Sequence, residues 1–178
     1  MKVNIMIPYA LDKNLGRAYN ETMRMVDDGD WACLMDYDVQ LLTPDAGKIL
    51  HDYAIRFPHA GMLTCYTNRI HPSSPQLVGK VISEDSDMRS HMLTAERMKE
   101  FLYRTTEVHS NVSGFLMLIS KKVWRHVPFA QTGKCLGIDT DYWRRLKAAN
   151  YQILRMDGLM VWHGYRLLQG HHDKSHLI

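Results

Sequence analysis

Two aspartates, Asp36 and Asp38, stand one residue apart directly after the apolar run at residues 31–35. The run predicts a buried strand, and residues two positions apart on a strand point to the same face. Open α/β sheets bind ligands at the carboxyl ends of their strands, so both carboxylates would reach such a site. Carboxylates are preferred ligands of Mg²⁺ and Mn²⁺, which bind phosphate oxygens and water at their remaining positions. The pair therefore indicates a metal site for a diphosphate, with a ligand-free acidic turn as the alternative.

The elements that would position this pair are those of an α/β fold. Strands are expected at residues 3–8, 31–35, 60–66, 114–120, 151–154 and 159–162, and helices at residues 15–26, 44–56, 95–104 and 139–149. Strands that alternate with helices predict one mostly parallel sheet flanked by helices. Pro44 is expected to be the first residue of its helix, and Asn150 is expected to end the last helix in a left-handed conformation.

The whole chain, residues 1–178, is expected to form one domain, because no linker or internal repeat divides it. Residues 68–92 carry a cluster of Pro and Ser and a run of acidic residues, which predict an irregular, exposed insertion or substrate loop. Residues 164–178 form a polar, histidine-rich C-terminal tail.

Composition narrows the function classes. The chain has 178 residues, 46% of them hydrophobic and 23% charged, as in ordinary globular domains. Its net charge of +3 comes from scattered Lys and Arg, which argues against a nucleic-acid partner but suits an anionic ligand such as a nucleotide diphosphate. Three cysteines without a CxxC pair argue against a disulfide framework and favour a reducing, cytoplasmic location. No apolar run approaches the roughly 20 residues of a transmembrane segment.

Six segments, in this order, carry a resemblance to a known family. They are IMIPY at 5–9, NLGRAYN at 14–20, LMDYD at 34–38, SGFLMLISKKVW at 113–124, GIDTDYWRR at 137–145 and VWH at 161–163. Together they resemble the GT-A-fold glycosyltransferases, especially the family-2-like members. The resemblance implies a minimal, single-domain, GT-A-like (Rossmann-like) fold, a nucleotide diphosphate sugar as donor, and Mn²⁺ or Mg²⁺ as cofactor.

The resemblance also implies a nucleotide pocket around the loop that follows the first strand. Its expected members are Pro8, Tyr9, Asn14, Gly16, Arg17, Asn20, Asp36 and Tyr37. Pro8 and Tyr9 would lie near the base. The other residues of the first helix would line the pocket or brace it. For Asn20, helix packing or capping is as good an interpretation as ligand contact.

Metal binding is implied for three residues. Asp38 would bind the ion directly, while Asp36 would act through the ribose, the donor sugar or a metal-bound water. His163 follows an apolar strand, as does the third metal ligand of many of these enzymes. Neutral imidazole binds Mn²⁺ better than Mg²⁺, and a merely polar surface histidine is the alternative.

Asp139 stands where such enzymes carry their catalytic base. A carboxylate at a helix start is kept ionised by the amide dipoles, so it could accept the proton of an acceptor hydroxyl. Transfer with inversion would follow. Asp139 or Thr140 could instead serve only as an N-cap. The first acid of the usual pair would fall at Ile138, which is apolar.

Two glycine positions and the tail complete the expected site. Gly114 would let the donor sugar approach closely, or would simply relieve crowding at a strand start. Arg166, with His171 and His172, could close over the diphosphate and exclude water, and a frayed terminus is the alternative. Gly164 would then be a hinge.

Three other functions remain open. A sugar nucleotidyltransferase could share the sheet and the Asp pair, but its glycine-rich phosphate loop is absent. Ile138 and the short chain favour a non-catalytic nucleotide-sugar-binding module. His171, His172 and His176 could bind zinc in the tail. The acceptor, whether a glycan, a lipid-linked molecule or a protein, would be chosen by residues 68–110.

Overall fold

The computed structural model describes residues 1–167, 170 and 174–177. Over these residues it has seven strands, five α-helices and one 3-10 turn at Lys99–Phe101. The strands are β1 (Val3–Met6), β2 (Trp31–Met35), β3 (Val39–Leu41), β4 (Met62–Thr67), β5 (Thr105–Glu107), β6 (Leu116–Ser120) and β7 (Ile153–His163). The helices are α1 (Leu15–Arg24), α2 (Ala46–Arg56), α3 (Met88–Met98), α4 (Lys121–His126) and α5 (Ile138–Ala148).

All seven strands belong to one sheet in the order β1-β2-β6-β4-β7-β3, with β5 also paired to β7. Strands β1 and β2 pair in parallel, as do β4 and β7, whereas the other four pairings are antiparallel. The α/β class is confirmed, but the prediction of a mostly parallel sheet is wrong. The sheet is mixed because β6 runs antiparallel between β2 and β4, and because two three-residue strands add antiparallel pairs to β7.

Both faces of the sheet are covered, as the side-chain alternation of β2 shows. Cys33 packs in the cluster that contains Leu50 and Tyr53 of α2. Leu34 packs in the opposite cluster with residues of α1, α4 and α5, among them Tyr142. A strand buried on both faces reads as a continuous apolar run, which explains why β2 was visible in the sequence.

Several element boundaries differ from the expected ones. Helix α2 begins at Ala46 rather than at Pro44. Helix α3 begins at Met88, inside the expected irregular segment, because the Asp87 side chain accepts a hydrogen bond from the Ser90 amide and caps it. The two strands expected after α5 are one continuous strand, β7, with a register shift opposite Cys65 and Tyr66. Asn150 has the expected left-handed conformation, with a φ of 60°.

The segment at residues 68–92 carries many exposed residues, as expected, but several of its polar side chains are buried. Arg69, Gln76 and Asp85 are all buried. Their polar groups find partners inside the protein: the Gln76 amide donates to Thr64 at 2.7 Å, and Arg69 donates to Asp85 at 2.8 Å. A polar segment can be buried when its polar groups are paired in this way.

Across the described residues, no helix has both the length and the apolar composition that a membrane crossing requires. Cys33 and Cys65 are buried free thiols, as expected, and Cys135 is exposed. Burial raises the pKa of Cys33 to about 12.

Candidate metal centre

Three side chains with metal-binding atoms converge at one end of the sheet: Asp36, Asp38 and His163. One ligand atom from each lies within 4.8 Å of the other two. The Nε2 atom of His163 is 3.6 Å from Oδ1 of Asp38 and 4.0 Å from Oδ2 of Asp36. Adjacent ligands of an octahedral Mg²⁺ are about 3 Å apart and opposite ligands about 4.2 Å, given bonds of about 2.1 Å. The two distances from His163 lie between these values, so the three side chains form a candidate site for one ion.

Local structure brings these residues together. Asp36 follows β2, Asp38 precedes β3, and His163 is the last residue of β7. Strand β3 pairs with β7 in a register that places Val39 opposite His163, so the preceding Asp38 reaches the histidine. Gly164 allows the Asp38 side chain to pack closely against the backbone at residue 164, because a Cβ atom at this position would lie only 3.2 Å from Oδ2 of Asp38.

The imidazole of His163 is held in one orientation. It is buried, it stacks on Phe115 with ring centroids 5.0 Å apart, and its Nδ1 lies 3.2 Å from the carbonyl oxygen of Arg69. If Nδ1 donates to this carbonyl, Nε2 turns a lone pair toward the two carboxylates. Burial lowers the pKa of His163, and the Asp38 carboxylate only partly opposes this effect. A neutral imidazole that faces two carboxylates is a donor set for a divalent cation.

The electrostatics of Asp36 lead to the same conclusion. Its pKa is raised from 3.8 to about 7, chiefly by partial burial and also by the nearby carboxylates of Asp38 and Asp139. Carboxylates that share a site without a cation disfavour each other's ionisation. A bound divalent ion would remove this penalty, so the residues present fit Mn²⁺ or Mg²⁺.

Asp139 lies beside this cluster but is not the N-cap of its helix. Helix α5 begins one residue earlier, at Ile138, and its N-cap is Gly137, whose φ of 82° is readily adopted by glycine. The carboxylate of Asp139 accepts hydrogen bonds from the Gly114 amide at 3.0 Å and from the Thr140 amide at 2.8 Å. The N-cap prediction is therefore wrong for both Asp139 and Thr140.

Gly114 has a visible structural role. A Cβ atom at this position would lie 2.9 Å from Cβ of Asp139, so a larger residue would push the aspartate away. The absence of a side chain here lets the Asp139 carboxylate reach the Gly114 amide.

Two exposed aromatic rings stand on neighbouring loops at the same end of the sheet. Parallel pairing of Met6 with Leu34 places the loop that contains Pro8 and Tyr9 next to the loop that contains Tyr37. Tyr9 is 78% exposed and Tyr37 is 73% exposed. Both rings are therefore accessible at the surface, and their contact with a nucleotide stays a prediction.

Three other expected pocket residues serve the scaffold. Asn14 caps α1 by accepting from the Arg17 amide at 3.1 Å. Gly16 packs so closely that a Cβ atom would lie 1.9 Å from the carbonyl oxygen of Ala130. Asn20 is buried, and its amide exchanges hydrogen bonds with the backbone N–H and C=O of Phe129 at 3.0 and 2.8 Å. Gly16 and Asn20 therefore brace the chain around residue 130.

Arg17 is already ion-paired. Its guanidinium lies 3.1 Å from Asp12 and 2.9 Å from Glu21, and the side chain is largely on the surface. A diphosphate would have to compete with these two carboxylates for the arginine.

The described residues of the tail pack against the segment at residues 68–92. His176 lies 2.7 Å from Asp85, which also binds Arg69, and all three are buried. An open cavity of about 310 Å³ lies at this junction and is lined by residues that include Arg69, Arg166 and Tyr165. The Tyr165 ring is 5.7 Å from that of His163, so the cavity adjoins the metal cluster. Arg166 is exposed, whereas His171 and His172 lie outside the described residues.

Asn68 and Arg69 are site residues that the sequence reasoning missed. The Asn68 side chain accepts from the His163 amide at 2.7 Å, and the Arg69 carbonyl faces the imidazole. A signal was present, because Asn68 directly follows the apolar strand β4 just as Asp36 follows β2. Its position at the beginning of the Pro- and Ser-rich segment obscures this signal.

Comparisons with protein-family models, with curated proteins and with solved structures found no match to this chain. The functional interpretation therefore depends on the chemistry of the site.

Proposed function

We propose that this chain is a metal-dependent glycosyltransferase that moves a sugar from a nucleotide diphosphate sugar to an acceptor hydroxyl, with inversion at the anomeric carbon. The observation that carries the proposal is the convergence of Asp36, Asp38 and His163 beside a further carboxylate, Asp139. An ion at the first three would leave Asp139 near a diphosphate-linked sugar without making it a ligand.

Asp38 and His163 would hold Mn²⁺ or Mg²⁺, with Asp36 as the third ligand or as the acceptor of a hydrogen bond from the ribose or a bound water. When bound, the ion supplies neutralisation of the negative charge that develops on the leaving nucleotide diphosphate. The exposed rings of Tyr9 and Tyr37 offer a surface for the nucleotide. Arg166, at the adjoining cavity, offers a positive charge to the phosphates.

Asp139 is the candidate base. Hydrogen bonds from the amides of Gly114 and Thr140 fix its carboxylate in place. Each carboxylate oxygen has about two lone pairs, so acceptor capacity remains for the proton of an attacking hydroxyl. A base oriented in this way would act during attack on the anomeric carbon from the face opposite the leaving group.

Thermal stabilisation by nucleotide sugars in the presence of Mn²⁺ would test donor binding. At a ligand concentration of about 100 times Kd we expect a gain of roughly 2.7 kcal/mol, which Asp38→Ala and His163→Ala should lose. Asp27→Ala, at an exposed aspartate that precedes β2 whereas the ligand Asp36 follows it, is the control and should retain it. A wild-type protein that no nucleotide sugar stabilises, with or without Mn²⁺, would contradict the proposal.

A second candidate is a non-catalytic nucleotide-sugar-binding module. It is favoured by the hydrogen bonds that already engage both oxygens of Asp139, and by the buried, apolar Ile138 next to it. Asp139→Asn separates the two functions. In a transferase this variant should bind the donor normally but lose transfer, whereas a binding module would show no turnover even as wild type. Pyrophosphate release from a sugar 1-phosphate and a nucleoside triphosphate would instead identify a nucleotidyltransferase.

A further inference from the structure

Large apolar side chains protrude from loops at the end of the sheet where Asp36 follows β2. We call this set the apolar rim; it comprises Ile7, Tyr9, Leu11, Tyr37 and Leu136, all of them exposed. Leu11 is 85% exposed and Leu136 is 81% exposed, the highest values among the large hydrophobic residues on the described surface. Side chains this exposed stand clear of the protein, and a cluster of them marks an interaction site.

The rim residues come from three loops that lie together. The amide of Leu15 donates to the carbonyl of Lys134 at 3.3 Å, and the thiol of Cys135 donates to the carbonyl of Lys13 at 3.1 Å. Leu11 and Leu136 therefore flank one contact between two loops. The third loop, with Tyr37, adjoins the first through the pairing of β1 with β2.

The charges next to the protruding leucines are positive. Lys13 and Lys134 are exposed and lie two residues away from Leu11 and Leu136, respectively. The one carboxylate in the first loop, that of Asp12, is ion-paired with Arg17 at 3.1 Å. The carboxylates of the metal cluster converge on His163 instead. Lysines beside protruding apolar side chains complement a surface in which a negatively charged outer layer covers an apolar inner layer.

We propose that the apolar rim docks on the surface of a bilayer that contains anionic phospholipids. Leu11 and Leu136 enter the boundary between the headgroups and the acyl chains, and Lys13 and Lys134 contact the phosphates. Because Tyr37 of the rim lies between Asp36 and Asp38 in the chain, docking brings the metal cluster close to the membrane. The partner is thus a lipid surface, and binding to it requires neither metal nor nucleotide.

Co-sedimentation with phosphatidylcholine vesicles, with and without phosphatidylglycerol, tests the proposal on the full, metal-free chain. We expect binding to the anionic vesicles that weakens as salt is added. The double variant Leu11→Ser, Leu136→Ser should bind at least about tenfold more weakly than the wild type, since two apolar side chains no longer insert. Lys13→Glu with Lys134→Glu should abolish the preference for phosphatidylglycerol.

A matched control is available on helix α3, where Met92 and Leu93 are also exposed. Met92→Ser with Leu93→Ser removes two apolar side chains that are 47% and 50% exposed and do not belong to the rim, and this variant should bind vesicles like the wild type. Equal loss in both double variants would overturn the proposal, as would failure of the wild type to bind anionic vesicles. So would a concentration-dependent dimer in sedimentation velocity that the Leu11→Ser, Leu136→Ser variant dissociates, since the rim would then join two copies of the chain.

The outcome is independent of the proposed enzymatic function. Asp38→Ala should bind vesicles at least as well as the wild type, although it is expected to lose metal. Vesicle binding without donor binding would support the membrane proposal and refute the transferase. Donor binding without vesicle binding would refute the membrane proposal and leave the transferase intact.

Discussion

The Nε2 atom of His163 lies 3.6 Å from Oδ1 of Asp38. This separation is too long for a hydrogen bond. It falls within the range expected for two ligands of the same ion, and the Arg69 carbonyl at Nδ1 directs the other nitrogen toward the carboxylates. Strand pairing holds the two residues at this distance, since Asp38 precedes β3 and His163 ends β7. The pairing of the strands thus fixes the geometry of the site, and single substitutions can test its properties.

Replacement of the buried imidazole should weaken metal binding. We expect His163→Ala to lower Mn²⁺ affinity at least about tenfold, because a nitrogen ligand and its orienting contact are lost together. Isothermal titration calorimetry measures this directly. His59→Ala, at an exposed histidine in the turn before β4, should bind Mn²⁺ like the wild type. Unchanged affinity in His163→Ala would remove the histidine from the ligand set.

The carboxylate of Asp36 should make the metal-free protein less stable as pH rises. Its pKa increases from 3.8 to about 7 on folding, so the unfolded chain loses this proton first. The folded state is therefore favoured at low pH, and this contribution is lost as pH rises from about 4 to about 7. Bound Mn²⁺ competes with the same proton, so its affinity should fall as pH drops below about 7.

Asp36→Asn tests this effect. Because 41% of the Asp36 side chain is exposed, solvent screens the charges. We therefore expect the variant to gain only about 1 kcal/mol in metal-free stability above neutral pH. Urea unfolding on either side of neutral pH measures it. Asp27→Asn is the control, and a pH dependence that persists in Asp36→Asn would assign it to another group.

Addition of a methyl group at Gly114 should disturb Asp139. A Cβ atom there would lie 2.9 Å from Cβ of Asp139, and we expect Gly114→Ala to destabilise the protein by about 1–3 kcal/mol. Mn²⁺ binding should change little, because the three ligands lie on other strands and loops. Any transfer activity should fall more than metal affinity. Unfolding curves and calorimetry provide the two readouts.

Gly47→Ala is a matched control for this substitution. Nothing lies within 4 Å of a Cβ atom at Gly47, which is in helix α2. There the same change should stabilise the protein by roughly 0.5–1 kcal/mol, because alanine is the better helix former. Equal effects at both glycines would show that the contact with Asp139 is unimportant.

Asn20 should matter for stability rather than for ligand binding. Its side chain makes hydrogen bonds with both backbone groups of Phe129 and with the Trp124 indole. Asn20→Ala would leave buried groups of Phe129 without partners, and we expect a loss of about 2–4 kcal/mol in unfolding free energy. Asn111→Ala, at an exposed position, should cause almost no change. Nucleotide binding that disappears while stability is kept would instead identify Asn20 as a ligand contact.

The sequence predicted the longer buried strands because their apolar runs are local signals. Strand β2 was visible in this way, and so was the Asp36–Asp38 pair at its end. The direction of a strand is not a local property, however, so the antiparallel placement of β6 was not apparent. Strands β3 and β5 have three residues each and form only because β7 offers its edge to them.

Individual site residues show the same limit. His163 was proposed as a ligand because it follows an apolar strand, and the structure brings it to Asp36 and Asp38. Asn20 was ambiguous because its partner, Phe129, lies 109 residues away along the chain. The contacts of Asn68 and Arg69 with His163 likewise join distant parts of the sequence, and no periodicity or capping pattern reports them.

Strand β3 terminates one side of the sheet, and its three residues are held there by pairing with the last three residues of β7. An ion bound by both Asp38 and His163 would connect the residue before β3 to the last residue of β7, and would thus stabilise the pairing of the two strands. Chelation should then increase hydrogen–deuterium exchange at Val39 and Leu41. If β3 separates, the edge of β7 has unpaired backbone groups that can pair with strands of other molecules. We therefore expect the metal-free protein to aggregate faster than the metal-bound protein.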